Sequence, residues 1–287
     1  MAAEDLPSGF ETMVDQVYRP LADEAARRLA RVPRPCHIGL CGPQGGGKST
    51  GAAMLRLLLQ ARGLKVALLS LDDVYLTCAE RLRLAETIHP LLAVRGPPGT
   101  HDVALLETVL AALDAGRSLA LPAFDKARDD RRPKSEWPRF EGPADAVILE
   151  GWCLGAQPEP PEALREPLNA LERVDDPDGT WRAYVNAALA RYQPTFRRLD
   201  FLIMLQPPGS EAVAGWRREQ EAKLRRRAGS QGPGLKIMSD AEVDRFVQHY
   251  ERITRSLMRR APERADALVM LDDARRVLAL EIKPPAA

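Results

Sequence analysis

A glycine-rich stretch near the N-terminus constrains the fold of this chain more than any other feature. Residues 42–50 read GPQGGGKST and fit the pattern G-x-x-x-x-G-K-[ST] of a phosphate-binding loop. The short apolar run 36–41 before it predicts a buried strand, and the apolar stretch 51–61, closed by Gly63, predicts a helix. This order brings backbone N–H groups and a helix N-terminus around an anion. The sequence therefore predicts a nucleoside triphosphate site.

Each residue of this loop has an expected task in holding the nucleotide. Lys48 reaches the β- and γ-phosphates, and the hydroxyl group of Ser49 binds Mg²⁺. The alternative is a plain glycine-rich turn followed by a helix-capping serine, but the matching strand and helix argue against it. The expected nucleotide-binding set is Gly42, Pro43, Gln44, Gly45, Gly46, Gly47, Lys48, Ser49 and Thr50.

Composition excludes several classes of protein. The chain has 287 residues, of which 45% are hydrophobic, which is enough for a sizeable core. Lys and Arg number 41 against 40 Asp and Glu, so no net charge favours nucleic acid or an acidic membrane. The four cysteines lack C-x-x-C spacing, which argues against a disulfide framework or a zinc site. No signal-like N-terminus or membrane-length apolar run is present. We expect a cytoplasmic protein.

Apolar strands alternate with amphipathic helices along the chain and predict the α/β class with a doubly wound parallel sheet. We expect a single domain over 1–287, with an N-terminal helix within 1–34 packed on it. The stretch 156–179, rich in Pro, Glu and Asp, is expected to run over the surface. The predicted strands are 36–41, 65–71, 118–122, 144–152, 200–205, 267–271 and 276–282. The predicted helices are 10–32, 51–61, 103–115, 180–199, 211–227 and a long one from 239.

Carboxylates follow two of the predicted buried strands. Asp72 and Asp73 end the strand 65–71, and Glu150 ends the strand 144–152. Ligands gather at the carboxyl ends of parallel strands, so these side chains are expected near the phosphates. Asp72 is a candidate base for an attacking hydroxyl group and a candidate Mg²⁺ ligand, although an aspartate here also commonly caps the next helix. Glu150 has the Walker B position, where a carboxylate organises Mg²⁺.

Two loops carry residues suited to a small anionic acceptor. The loop 95–102 reads RGPPGTHD and offers Arg95, His101 and Asp102, although Asp102 could equally cap the next helix. Lys126 follows the predicted strand 118–122, at the start of a charged run that is expected to be mostly solvated.

A third candidate region is an arginine-bearing helix, 211–227. It contains Arg217 and the cluster Arg225–Arg227, and a glycine-rich segment follows it. This composition suits a lid, over about 208–236, that closes on phosphates. A solvated basic face is the alternative, and Arg217 is the first candidate for contact with the transferring phosphoryl group.

Taken in order, these motifs resemble the P-loop D-glycerate 3-kinases of plants, fungi and bacteria, within the phosphoribulokinase/pantothenate kinase/uridine kinase group. Val74 stands where relatives often have Phe, and 156–179 does not align. The motifs that carry the resemblance are GPQGGGKST at 42–50, SLDDVYLT at 70–77, RGPPGTHD at 95–102, LPAFDK at 121–126, LEGWCLG at 149–155, WRREQE at 216–221 and MSD at 238–240.

The resemblance implies a P-loop kinase fold with a helical lid and phosphorylation of D-glycerate to 3-phosphoglycerate, with ATP and Mg²⁺ as cofactors. In that family pattern the register S-x-D-x-h-Y makes Asp72 the base. The implied catalytic residues are Asp72, Lys48 and Arg217, the implied metal ligands are Ser49, Glu150 and Asp72, and the implied acceptor site is Asp72, Arg95, His101, Asp102 and Lys126.

Two other functions stay open at this point. One is a kinase for another small acceptor, such as a nucleoside, pantothenate or a sugar phosphate. The other is a nucleotide-binding regulatory protein with little kinase activity. The balanced charge disfavours a nucleic-acid partner, and the expected partner is a small hydroxy acid, with the oligomeric state left open.

Overall fold

The central feature of the fold is a six-stranded sheet in the order β2-β7-β1-β8-β9-β10. The computed structural model describes residues 10–228 and 238–284. In chain order the strands are Cys36–Cys41 (β1), Val66–Ser70 (β2), Leu119–Ala120 (β3), Phe124–Asp125 (β4), Asp130–Arg131 (β5), Arg139–Phe140 (β6), Ala146–Gly151 (β7), Phe201–Gln206 (β8), Ala267–Leu271 (β9) and Val277–Ile282 (β10).

Five strands of the sheet are parallel, and β10 pairs antiparallel with β9 at one edge. Strand β1 lies between β7 and β8: the next strand of the sheet along the chain, β2, lies on one side of β1, whereas β8 and β9 lie on its other side. This is a topological switch point, where open α/β sheets bind their ligands. The phosphate-binding loop therefore begins at the switch point, and the predicted parallel α/β sheet is confirmed.

Helices cover both faces of the sheet. The α-helices are Phe10–Met13 (α1), Arg19–Leu29 (α2), Lys48–Gln60 (α3), Cys78–Thr87 (α4), Val103–Asp114 (α5), Ala170–Val174 (α6), Thr180–Ala188 (α7), Gln193–Arg197 (α8), Ser210–Ala228 (α9) and Asp240–Arg264 (α10). Within 10–228 and 238–284, no helix combines the length and the apolar character needed to cross a bilayer.

The alternation of side chains along each strand produces two cores. On one face, Ile148 of β7 packs with residues of α2 and α3. On the other face, its neighbours Val147 and Leu149 pack with residues of α5, α7 and α10. Strands buried on both faces read as continuous apolar runs, which is why they could be predicted from the sequence.

Two helical segments and one strand differ from the predictions. The predicted helix 180–199 is interrupted after α7 by a 3₁₀ turn at Leu189–Tyr192, and α8 follows with Pro194 in its first turn. Proline has no N–H to donate and is tolerated best in the first turn of a helix. Helix α4 was not predicted, although Thr77 and Glu80 form its capping box. The predicted strand 118–122 is reduced to β3, which pairs with β6 outside the main sheet.

The expectation that 156–179 runs over the surface is wrong for part of this segment. Leu171, Glu172 and Asp176 are fully buried. Arg252 of α10 donates to both carboxylate oxygens of Glu172, at 2.8 and 2.6 Å, and Arg182 pairs with Asp176 at 2.9 Å. The polar composition was misleading because these acids are buried together with their arginine partners.

We predict that Glu172→Gln destabilises the fold strongly. The substitution removes the charged partner of Arg252, whose side chain is only 15% exposed. Breaking one partner of a buried ion pair costs about 3–5 kcal/mol in the free energy of unfolding, measurable by urea denaturation.

The matched control is Asp15→Asn. Asp15 pairs with Arg19, and both side chains are more than half exposed, so its loss should cost at most about 1 kcal/mol. Similar small losses in both variants would show that Glu172 contributes little to the fold.

Candidate active site

The phosphate-binding loop connects β1 to α3 at the switch point. Helix α3 begins at Lys48, earlier than the sequence indicated, so Lys48, Ser49 and Thr50 form its first turn. Gly47 occupies the N-cap position with a left-handed backbone, and the Lys48 ammonium donates to the Pro43 carbonyl at 2.9 Å. The first-turn N–H groups of a helix donate to no carbonyl within the helix and can bind phosphate oxygens.

Gly45 of this loop lies against helix α9. Its φ is +75°, and a Cβ at this position would lie 2.9 Å from the Cβ of Trp216. Trp216 is buried, and its indole N–H donates to the carbonyl of Asp273, just after β9. Glycine is therefore required both by the backbone angle and by the close approach of α9.

Glu150 joins three elements at the carboxyl edge of the sheet. It lies near the end of β7, almost completely buried, and its Oε1 accepts hydrogen bonds from Ser49 at 3.0 Å and from Ser70 at 2.7 Å. The structure thus places Ser49 next to Glu150, as the sequence predicts. Ser70 was not assigned a role from the sequence, although it stands two residues before Asp72 in the S-x-D motif.

Asp72 is held by two donors just after β2. Lys126 donates to its Oδ2 at 2.6 Å, and the Tyr75 hydroxyl group donates to its Oδ1 at 2.8 Å. Burial acts to raise the pKa of Asp72, but the adjacent Lys126 ammonium, the Lys48 charge and the Tyr75 hydrogen bond outweigh it. The pKa of Asp72 therefore lies well below its usual range, and the group is a carboxylate at neutral pH.

Asp73 has a different environment from Asp72. Its Oδ1 accepts from the backbone N–H of Phe124 at 3.1 Å. Burial, together with the neighbouring negative charges of Asp72 and Glu150, raises the pKa of Asp73 to about 6. The two adjacent aspartates therefore differ in proton affinity, because only Asp72 has the ion pair with Lys126.

His101 is enclosed by aromatic rings. Its Nδ1 lies 2.7 Å from the Tyr192 hydroxyl group, and its ring stacks on Tyr75 at 4.5 Å. Burial lowers the pKa of His101 to about 4, so the ring is neutral at pH 7. A neutral His101 does not bind an anion through a positive charge. Its Nε2 is buried without a hydrogen-bond partner among the described residues.

Arg95 and Asp102 both have protein partners. Arg95 forms an ion pair with Asp129. Asp102 caps α5, because its Oδ1 accepts from the backbone N–H of Leu105 at 2.9 Å, and its Oδ2 lies 3.2 Å from Arg131. Asp102 thus has the capping role that the sequence left open, whereas Lys126 contacts Asp72 directly.

Helix α9 carries Arg217 on a protected face. The guanidinium group pairs with Glu221 and donates a hydrogen bond of 3.0 Å to the side-chain oxygen of Gln220. It also lies 5.4 Å from the centre of the Phe246 ring. Arg225 pairs with Asp240 at the surface. The side chains of residues 226 and 227 and the segment 229–237 lie outside the described residues.

Comparisons with known proteins find similar kinases. The chain is 36% identical over 252 residues to the uncharacterized kinase mug58 of Schizosaccharomyces pombe, covering 85% of this chain and 87% of that one. It is 32% identical to the chloroplastic D-glycerate 3-kinase of Arabidopsis thaliana over 227 residues, or 75% of this chain and 46% of that protein. No protein-family model matches the chain.

A solved structure gives the same result. The D-glycerate 3-kinase of Cryptococcus neoformans var. grubii superposes with a TM-score of 0.76 at 27% identity, covering 92% of this chain and 98% of that one. The chain belongs to the P-loop kinase family of the D-glycerate 3-kinases. It is an ATP-dependent phosphotransferase, which confirms the resemblance seen in the motifs.

The sequence analysis assigned no role to several site residues of this P-loop kinase. Tyr75, Tyr192 and Ser70 act on Asp72, His101 and Glu150 through hydrogen bonds. Only Ser70 and Tyr75 had a signal, because both belong to the motif around Asp72. Tyr192 lies in a stretch that resembles ordinary core, and only the folded chain brings it to His101.

We predict that Gly45→Ala weakens nucleotide binding by this kinase. Alanine at a left-handed position is strained, and its Cβ would collide with Trp216, so the loop or α9 must move. We expect the Kd for Mg²⁺-ATP to rise on the order of tenfold or more, measured by titration calorimetry.

Gly63→Ala is a control for alanine at a left-handed position outside the loop. Gly63 has a φ of +81°, but an added Cβ would meet no neighbouring atom within 4 Å, so this variant has the strain alone. We expect its ATP affinity to be unchanged. Equal affinities in the two variants would show that an added methyl group at Gly45 does not disturb the loop.

Proposed function

We propose that this kinase transfers the γ-phosphoryl group of ATP to the 3-hydroxyl group of D-glycerate. The observation that carries the proposal is the Asp72–Lys126 pair beside the phosphate-binding loop. It combines a carboxylate, which can accept a hydroxyl proton, with an exposed ammonium, which can bind an acceptor carboxylate. D-glycerate has both a hydroxyl group and a carboxylate, and two relatives carry it in their names.

The loop residues 42–50 bind the triphosphate in this proposal. Lys48 leaves the Pro43 carbonyl and binds the β- and γ-phosphates, while the first-turn N–H groups of α3 bind the phosphate oxygens.

We also propose that the site binds Mg²⁺ through oxygen ligands. Ser49 Oγ and Glu150 Oε1 lie 3.0 Å apart at the mouth of the loop, and both are hard donors of the kind Mg²⁺ takes. Asp72 is a further candidate ligand on the same edge of the sheet. When bound, Mg²⁺ neutralises charge on the phosphate oxygens. Ser70 supports this set by holding Glu150 in place.

The reaction proposed here transfers one proton and one phosphoryl group. The acceptor hydroxyl oxygen bonds to the γ-phosphorus, the bond between that phosphorus and the β–γ bridging oxygen breaks, and ADP leaves. The hydroxyl proton passes to Asp72. Because the ion pair with Lys126 weakens Asp72 as a base, binding of the acceptor carboxylate to Lys126 would strengthen Asp72 as a base in the ternary complex.

The residues proposed for the acceptor site differ in how directly they would bind the acceptor. Lys126 is the first cation for the acceptor carboxylate, because its side chain is exposed and already beside Asp72. Arg95 is the second, since it must share its charge with Asp129. Neutral His101 contributes through hydrogen bonding, and Asp102 shapes the loop by capping α5.

The proposal also covers the organisation and setting of the chain. It has one domain over 1–287, with α9 as part of a lid over about 208–236 and Arg217 on the transferring phosphoryl group. A cytoplasmic location, a small hydroxy acid as partner and no nucleic-acid partner complete it. The four free cysteines and the balanced charge support this setting.

We predict that D-glycerate is the preferred acceptor in a coupled ADP-release assay with Mg²⁺-ATP. The panel contains D-glycerate, L-glycerate, pantothenate, uridine and ribulose 5-phosphate. Asp72→Asn should lower kcat on the order of 10²- to 10⁴-fold, because asparagine cannot accept the proton. ATP affinity should stay near that of the unmodified protein. Asp178→Asn, on a surface turn, is the matched control.

The other outcomes of this assay have definite meanings. Strong turnover of a different acceptor would replace D-glycerate and keep the site. Binding of ATP with no acceptor that stimulates ADP release would indicate a regulatory nucleotide-binding protein.

We predict that Lys126→Met raises the KM for D-glycerate about 10- to 100-fold, the cost of one charge-assisted hydrogen bond. It should also move the acidic limb of the pH–kcat/KM profile to higher pH, because the pKa of Asp72 rises when the adjacent ammonium is lost. Steady-state kinetics from about pH 4 to 9 measure both effects.

Lys134→Met is the control for this substitution. Lys134 is exposed and lies over the Trp137 ring, outside the Asp72 cluster, so neither parameter should change. An unchanged KM and an unshifted limb in Lys126→Met would remove Lys126 from the acceptor site.

A further inference from the structure

Glu221 is a buried acid that the phosphoryl-transfer scheme does not use. It is 2% exposed on α9, and one carboxylate oxygen pairs with Arg217. The other oxygen, Oε2, is buried and has no hydrogen-bond partner among the described residues. A buried carboxylate with a single partner gains little stability from its ion pair, because desolvation offsets the attraction. Stability alone therefore gives no reason for this arrangement.

The local geometry restricts the Arg217 guanidinium group. Glu221 lies four residues after Arg217, so both side chains are on one face of the helix. Gln220 accepts a second hydrogen bond at 3.0 Å, and the Phe246 ring of α10 lies 5.4 Å from the guanidinium carbon. An unrestrained arginine loses side-chain entropy when it is ordered. Here the contacts order it in advance.

The two helices beside this guanidinium group contact both substrate loops. Trp216, the preceding residue, packs on Gly45 of the phosphate-binding loop. Tyr250, one turn after Phe246 in α10, donates its hydroxyl hydrogen to the carbonyl of Arg95, at the start of the acceptor loop. Trp216 thus links this turn of α9 to the phosphate-binding loop, and Phe246 beside Arg217 lies on the helix that contacts the acceptor loop.

We propose that Glu221 is the positioning residue for Arg217 and acts on turnover only through it. The inference rests on the proposed role of Arg217 at the transferring phosphoryl group. Glu221 holds the guanidinium group in one orientation before ATP binds, so that the group reaches the developing charge without a search through rotamers.

A double-mutant cycle tests this positioning role. The variants are Arg217→Ala, Glu221→Gln and the pair, with Glu219→Gln as the control on the same helix. We expect Glu221→Gln to lower kcat about tenfold or more with little change in KM for the acceptor. In the Arg217→Ala background the same change should have less than about a twofold effect. The control Glu219→Gln should leave kcat unchanged, because Glu219 pairs with Arg275 at the surface.

A charge swap separates positioning from a structural ion pair. Arg217→Glu combined with Glu221→Arg restores an i,i+4 pair and should restore thermal stability, but it leaves the guanidinium group one turn away. We therefore expect kcat to stay low. Recovery of kcat by the swap, or a full Glu221→Gln effect without Arg217, would overturn the proposal.

The acceptor assignment is tested separately from this cycle. For the cycle, kcat is measured with whichever acceptor the panel identifies. If no acceptor is identified, the rate of ATP hydrolysis by water is measured instead. Failure of D-glycerate as acceptor would thus leave the coupling between Arg217 and Glu221 measurable.

Discussion

The buried carboxylate of Glu150 joins the elements on which the active site depends. It lies near the end of β7 and accepts hydrogen bonds from Ser49 in the first turn of α3 and from Ser70 at the end of β2. These hydrogen bonds fix the ends of β2 and β7 relative to the phosphate-binding loop. Because β1 lies at the switch point between β7 and β8, the loop, the oxygen atoms proposed to bind Mg²⁺ and Asp72 lie at one edge of the sheet.

Charge around this edge is arranged in pairs. Asp72 is paired with Lys126, Arg95 with Asp129, and Arg217 with Glu221. Each of these cations, proposed to bind substrate groups, therefore already has a protein anion beside it. Substrate groups that bind these cations must therefore compete with the protein carboxylates. Such competition favours acceptors that are themselves anionic, which fits a hydroxy acid better than a neutral nucleoside.

The segment around α6 contributes more to the structure than its polar composition indicates. Helix α6 and its flanks are fastened to α10 by Glu172 and Arg252, and to α7 by Asp176 and Arg182. Helix α10 in turn supplies Phe246 beside Arg217 and Tyr250 beside the acceptor loop. The part of the chain that did not align with the family thus supports residues that face the site.

The sequence by itself determined the α/β class, the position of the phosphate-binding loop and the acids at the ends of β2 and β7. These follow from local signals: apolar runs, glycines and residues at fixed spacing. Tertiary structure alone decided that Lys126 meets Asp72, that His101 is neutral and that 156–179 is partly buried. These outcomes depend on contacts between residues far apart in the chain and on desolvation, and neither quantity has a local signal in the sequence.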